Sequence, residues 1–395
     1  MDILLSHRAQ SIKPSPTLAV TARAAELRAE GKDIIGLGAG EPDFDTPDHI
    51  KAAAIEALNN GQTKYTAVDG TPALKQTIIN KFLRENNLEY SKDQILVSCG
   101  AKHSLYNLFQ ATLNPGDEII IPAPYWVSYP DMAILAGAEP VILKTTIAEH
   151  YKISPEILRA AISNKTRMVV FNSPSNPTGV SYSENELAAL GEVLLEHPEI
   201  LIVTDDIYEH ILWDQDKFVN IVNACAGLYD RTIVVNGVSK AYSMTGWRIG
   251  YVGGPEAIIK GMKKIQSQST SNATSIAQAA AVAALDGDQG YIKESTGIFK
   301  QRHDFVLKSL QEIDGINCIA SEGTFYSFPD VNGLIEKLDG ITNDIELAEF
   351  FLEKAEVAIV PGSAFGAPGC IRISFATSME NLEKSMERIK TALKN

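Results

Sequence analysis

Basic residues are in short supply in this chain. Lysine and arginine number 35 against 49 aspartates and glutamates, giving a formal net charge of −14. An excess of negative charge repels both the nucleic-acid backbone and anionic lipid headgroups, so neither is expected as a partner. Any anion-binding site must be built locally, from particular lysines, arginines and backbone N–H groups. Long apolar runs are also missing, since none reaches the ~18 residues that a membrane-spanning helix needs. The first ten residues, MDILLSHRAQ, carry neither an apolar run of signal length nor a small-residue cleavage pattern, so a cytoplasmic protein is expected. An organelle import segment fits only if the chain is a mature form. Cysteine is scarce: Cys99, Cys225, Cys318 and Cys370 are scattered with no C-x-x-C spacing. That argues against a disulfide framework and a zinc site, and for reduced thiols with no bound metal. Repeats and low-complexity linkers are absent as well.

What is present is a 395-residue chain, 45% hydrophobic, which is more than one core usually supports and predicts two domains. Seven short apolar runs (QILVS, DEIIIP, PVILK, RMVVF, ILIVTD, TIVVNG and RIGYVGG) are separated largely by helical segments. Continuous apolar strands alternating with helices predict an α/β domain, with a mostly parallel sheet covered on both faces. Thr46-Pro47 and Thr71-Pro72 read as helix starts, each with threonine as N-cap and proline at the first helical position. From about Tyr291 to Ile313 a long helix reads as a connector. Beyond it, TFYSFPD, a helix at DIELAEFFLEKA, strands VAIVPG and CIRISFA, and a final helix from Ser378 predict a smaller α+β domain. The expected organisation is an N-terminal segment 1–45 joining the small domain, a large domain 46–290 and a small domain 291–395.

Ligands of open parallel sheets bind beyond the C-terminal strand ends. The chemically loaded stretches sit there: SCGAKHS, FNSPSNPTG, TDDIYE and VNGVSKAYS. Each has an ordinary explanation when read alone. Gly100 can be a plain strand–helix turn, or it can open a helix whose first N–H groups bind phosphate. Asp205 can cap a helix, or it can face a protonated heterocycle at the sheet's mouth. Asn176 lies in a rigid proline turn that can hold it as a donor. Trp126, in PAPYWVSYP, can be a packed loop aromatic or a stacking surface for a planar ligand. Lys240 meets the needs of an amine nucleophile if it is shielded from water, with Arg248 folding back to lower its pKa. Four such stretches at corresponding strand ends point to one shared site.

Taken together, SKAYSMTGWRIGY, SPSNPTG, TDDIYE, PAPYWVSYP and GAGEPDFDTP resemble the class I aminotransferases of the aspartate aminotransferase family. The resemblance runs from PSPTLAV to IRISFATS, with the motifs in family order. It implies the fold called type I of pyridoxal 5'-phosphate (PLP) enzymes. It also implies that Lys240 forms the Schiff base with PLP and moves the proton between Cα and C4′. Asp205 would pair with the pyridinium nitrogen, and Asn176 and Tyr208 would donate to the ring's phenolic oxygen. Trp126 would stack on the ring, while Arg248, Ser239 and the N–H groups at Gly100 and Ala101 would hold the phosphate. Tyr65 would reach the phosphate of a neighbouring subunit, which implies a homodimer with shared sites. Arg372 would grip the substrate α-carboxylate, with Gly40 on a moving N-terminal segment. Lys102, beside the phosphate stretch, and Thr17 would contact a distal carboxylate.

The implied substrates are small amino and keto acids. Aspartate with 2-oxoglutarate is favoured, with prephenate as a further amino acceptor. The rivals are a lyase or an aromatic or neutral amino-acid aminotransferase on the same fold, and a non-enzymatic PLP-sensing domain. Lys102 speaks against the neutral substrates, because they have no use for a buried cation. The absence of room for a DNA-binding module before Pro14 speaks against the sensor. Two departures stand out. Asp205-Asp206 replaces the family's usual Asp-Glu, with little effect expected. Gly237 stands three before the lysine, where serine is common, so that one phosphate hydroxyl is expected to be replaced by backbone donors.

Overall fold

The computed structural model describes residues 4–14, 16–213 and 217–394. Residues 1–3 and 15, part of the segment expected to join the small domain, lie outside the described residues. After a two-residue strand, β1 (Ile35–Gly36), the seven apolar runs form β2 (Ile95–Ser98), β3 (Glu118–Ala123), β4 (Glu139–Lys144), β5 (Thr166–Asn172), β6 (Leu201–Asp205), β7 (Thr232–Gly237) and β8 (Gly250–Gly253). They pair into one sheet in the order β2-β8-β7-β6-β5-β3-β4. Only β8 opposes the common direction, lying antiparallel to both β7 and β2. The other pairings are parallel.

Successive strand residues point to opposite faces, and both faces are dry. Val97, Ile120, Val169, Ile202 and Val234 enter one core, shared with the helices Asp48–Asn59, Pro72–Asn86, Glu184–Leu195 and Ser275–Asp286. Leu96, Ile119, Val170, Val203 and Ile233 enter the other, against the helices Ala101–Thr112 and Glu256–Ser267. This explains why the runs are continuously apolar rather than alternating.

The helix starts follow local capping chemistry, with one correction. Thr71 caps its helix as expected, accepting from the Leu74 N–H. Thr46 does not. The helix begins at Asp48 with Pro47 in the N-cap position and no side-chain cap. The Thr46 hydroxyl instead donates to the Ser243 carbonyl at 2.7 Å and accepts from the Trp247 indole at 3.0 Å. It thus ties the start of the stretch 46–290 to the loop that follows Lys240.

The connector helix spans Gly290–Gln311. Ile292 packs on the large sheet's core, and Phe299, Val306 and Leu310 enter a separate core. That second core also takes Ile35 and Leu37 from the N-terminal segment. VAIVPG, expected as one strand, is two. β9 (Tyr326–Ser327) precedes β10 (Val357–Ala358), which pairs in parallel with β1. β11 (Val360–Pro361) turns to pair antiparallel with β12 (Ile371–Ser374), which also takes β9. The break lets one short run bind both the N-terminal segment and the C-terminal sheet. Among the described residues no helix is long and apolar enough to cross a membrane.

Candidate active site

Strands β2, β5, β6 and β7 all end at a single cavity of about 420 Å³. It is lined by Ala101 and Lys102 after β2, Asn172 and Asn176 at and after β5, Asp205 and Tyr208 at and after β6, and Ser239 and Lys240 after β7. Thr17, Gly40, Trp126, Arg248 and Arg372 reach the same space from elsewhere in the chain. The cavity therefore brings together nearly every residue singled out from sequence. Gly100 stands just behind the wall as the N-cap of the helix Ala101–Thr112. Tyr65 does not line this cavity. It is 93% exposed on the surface of its own chain.

Asp205 is the last residue of β6 and is 4% exposed. Its Oδ2 accepts from the Tyr129 hydroxyl at 2.6 Å and its Oδ1 from the Ile207 N–H at 3.4 Å. Burial pushes its pKa up to about 6, against the opposing pull of the Tyr129 hydrogen bond. Lys240 follows β7 and donates to the Gly40 carbonyl at 2.6 Å. Burial, and then the charge of Arg372, bring its pKa down to about 8, with Arg248 adding to the effect and Glu41 and Asp205 opposing it. Both shifts have the same origin: a low-dielectric pocket disfavours the charged form of either group.

Arg372, on β12, is 2% exposed. Its guanidinium donates to the Asn176 Oδ1 at 3.0 Å and to the Gly38 carbonyl at 2.7 Å, and lies 4.4 Å from the Tyr326 ring centroid. Among the described residues its buried Nε has no partner. Because the Asn176 oxygen is taken by Arg372, its amide N–H groups are left to act as donors. The Tyr208 hydroxyl lies 3.1 Å from that of Tyr326, and the Lys102 ammonium stands 5.0 Å from the Trp126 ring centroid.

Glycines shape the corner between Arg248 and the start of the helix Ala101–Thr112. A Cβ on Gly100 (φ +90°) would lie 2.3 Å from the Arg248 Nη2, and one on Gly250 would lie 2.2 Å from the Ala101 backbone nitrogen. Arg248 itself adopts φ 57° and donates to the Thr245 carbonyl at 2.8 Å. The departure at Gly237 has a local reason, for a Cβ there would press on the Ile249 carbonyl at 3.0 Å. Asp206 does not line the cavity. It binds Thr204 and Asn220 instead, and burial followed by the charge of Glu209 pushes its pKa up to about 8.

Sequence reasoning missed Tyr129, Asn172, Tyr326, Glu41 and Thr245, all of which line the cavity. All five stood inside stretches already noted, but nothing in a linear motif shows that Tyr129 will meet Asp205, 76 residues away.

The α/β scaffold places Lys240 and the buried Asp205 at the strand ends, with Arg248 and Arg372 reaching them from elsewhere, a set of groups suited to carbonyl–amine chemistry. The comparisons agree with that chemistry. The family model for aminotransferase class I and II matches residues 32–389, and the chain belongs to this family. It is 60% identical over 394 residues to the aspartate/prephenate aminotransferase of Nitrosomonas europaea, covering 98% of this chain and 99% of that protein. It is 51% identical to the aspartate aminotransferase of Bacillus subtilis, covering 98% of each. Its fold superimposes on the crystal structure of the aspartate aminotransferase from Rhizobium meliloti with a TM-score of 0.96 at 48% identity, covering 100% of this chain and 99% of that one. The Thermus thermophilus aspartate aminotransferase with maleate gives 0.93 at 41% identity, covering 99% and 100%.

Proposed function

We propose that this chain transaminates L-aspartate with 2-oxoglutarate, using pyridoxal 5'-phosphate, and that prephenate also serves as amino acceptor. The observation that carries the reading is one cavity containing Arg372, Lys102 and the depressed amine of Lys240. Such a cavity offers a cation for each carboxylate of a dicarboxylic acid. The names of the relatives, aspartate aminotransferase and aspartate/prephenate aminotransferase, support the same substrates.

The residues present fit the cofactor. Asp205 is a buried carboxylate held between two donors and still pushed up to about 6, so a protonated ring nitrogen would supply the cation it needs. The free N–H end of the helix Ala101–Thr112, with Arg248 and Ser239, would hold a phosphate. Trp126 would flank the ring, Asn176 and Tyr208 would donate to its oxygen, and Lys240 would anchor it through its amine. When bound, the cofactor supplies an electron sink for negative charge at the substrate Cα.

Arg372 would fix the α-carboxylate through its paired donors and so set which Cα bond is aligned for cleavage. Nη1 and Nη2 are each engaged once, by Asn176 and Gly38, and Nε has no partner among the described residues, so donor capacity remains that a carboxylate would use. Lys240, with a pKa near 8, can carry the Cα proton in either direction near neutral pH. Thr17 and Lys102 would receive the distal carboxylate. We further propose that residues 291–395, with 1–45, form a small domain that closes on the large domain, 46–290, and excludes water. The active unit would be a homodimer in which Tyr65 reaches the partner's phosphate. The reaction is ping-pong: amino acid in and keto acid out, then the reverse.

The test is a half-reaction on purified protein, followed at the cofactor's visible absorbance. L-aspartate alone should bleach the band, and both 2-oxoglutarate and prephenate should restore it. Restoration by 2-oxoglutarate alone would remove prephenate from the assignment. No response to aspartate would overturn the reading of Lys102 and Thr17.

A further inference from the structure

The cavity contains one acid that the reading above leaves without a task. Its charged lining side chains are the cations Lys102, Lys240, Arg248 and Arg372 and the carboxylates Asp205 and Glu41. Asp205 is engaged by Tyr129 and the Ile207 N–H. Glu41 is exposed to the cavity from the segment 38–41. Two carbonyls of that segment are already held by the catalytic cations, Gly38 by Arg372 and Gly40 by Lys240. The Glu41 carboxylate is held as well. Its Oε2 accepts from the Thr245 hydroxyl at 2.7 Å, and the Thr245 carbonyl accepts from Arg248 at 2.8 Å. Glu41 also acts on Lys240 by charge, holding its proton on against the pull of Arg372 and Arg248.

In a site that must admit dianions a carboxylate repels them, and that cost is offset when a ligand brings a positive charge. The two substrates of a transamination differ in that respect. The amino acid enters with an α-ammonium, and the keto acid has none. The ammonium must approach Lys240 in a cavity that already carries four cationic side chains, and an anion nearby lowers that cost. We propose that Glu41 receives the α-ammonium of the incoming amino acid and so sets the balance between amino-acid and keto-acid binding. The inference rests on the reading that both substrates pass through this cavity.

The test compares wild-type, Glu41→Gln and Glu41→Asp holoenzymes in the two separate half-reactions, with L-aspartate and with 2-oxoglutarate. Glu41 is exposed and fills no core, so the fold is not at stake in either variant. Glu41→Gln should raise the dissociation constant for aspartate about tenfold, the scale of one charged hydrogen bond, and Glu41→Asp should keep it within about threefold of wild type. The constant for 2-oxoglutarate should stay level or fall. Succinate, a dicarboxylate without an amine, should bind the glutamine variant at least as well as it binds wild type in a spectral titration. Equal weakening of aspartate and 2-oxoglutarate, weaker succinate binding, or unchanged aspartate binding would each overturn the proposal. If wild type proves unreactive toward aspartate, the substrate reading fails instead. The same comparison then runs with the amino-acid and keto-acid pair that does react, and its outcome is judged by the same criteria.

Discussion

The Asp205 carboxyl costs the folded protein stability wherever it must stay ionised. Folding raises its pKa from 3.8 to about 6. Between those values the folded chain binds the proton that the unfolded chain has released. The group's stabilising contribution is therefore full below pH 3.8 and is lost as pH rises through about 6. A rise of this size corresponds to roughly 3 kcal/mol above that range, with Tyr129 and the Ile207 N–H offsetting only part of the burial. In the cofactor-free protein, Asp205→Asn should therefore raise the melting temperature at pH 8, with the gain vanishing toward pH 4. Thermal unfolding at a series of pH values checks this. The same substitution should cut transamination by roughly 10²–10³-fold, because the neutral amide cannot hold a charged ring nitrogen. Lys240 marks a different window. Its pKa falls from 10.5 to about 8, so the unfolded chain binds more protons between those values and stability from this group rises with pH there. At Lys102 the expected change is in substrate choice. Lys102→Ala should lower kcat/KM for aspartate roughly 10–100-fold, the worth of a hydrogen bond to a charged group, with a smaller loss for neutral amino acids. Steady-state kinetics on both classes decide it, and equal losses would remove the distal carboxylate from this lysine.

At the scale of elements, the phosphate corner depends on how closely β8 approaches the start of the helix Ala101–Thr112. Gly250 sits against the Ala101 nitrogen, where a Cβ would lie at 2.2 Å. Backbone cannot yield there as a flexible side chain would. Gly250→Ala should therefore cost about 1–3 kcal/mol of stability by overpacking and weaken cofactor affinity through the displaced N–H groups. Denaturant melts and cofactor titration read the two effects separately. Most elements were legible in the sequence because their signals are local: unbroken apolar runs for two-sided strands, and Ser or Thr before a helix. The exceptions show where local signals end. Thr46 has the chemistry of an N-cap but spends it on Ser243 and Trp247, nearly 200 residues away. VAIVPG has the composition of one strand but divides at Ile359, because two different sheets claim its ends.

For the whole molecule, the exposed Tyr65 gives the dimer proposal its test. If Tyr65 of one subunit completes the site that holds Lys240 of the other, Lys240→Ala and Tyr65→Ala proteins, each impaired alone, should complement when mixed. Half of the dimers would be hybrids with one intact site, so about a quarter of wild-type activity should return after subunit exchange. No recovery in demonstrably mixed dimers would place both residues in the same site or leave Tyr65 without a role.

By itself the sequence determined the class of fold and pointed to Lys240 and most of the residues that line the cavity with it. Those depend on runs of a few residues and on motifs whose chemistry is carried by adjacent side chains. The tertiary structure alone decided which of them touch. It set Tyr129 on Asp205, Arg372 on Asn176 and Gly38, and Glu41 on Thr245. Each pair is far apart in the chain, and burial in the shared cavity, which no short segment encodes, raises the Asp205 pKa and lowers that of Lys240.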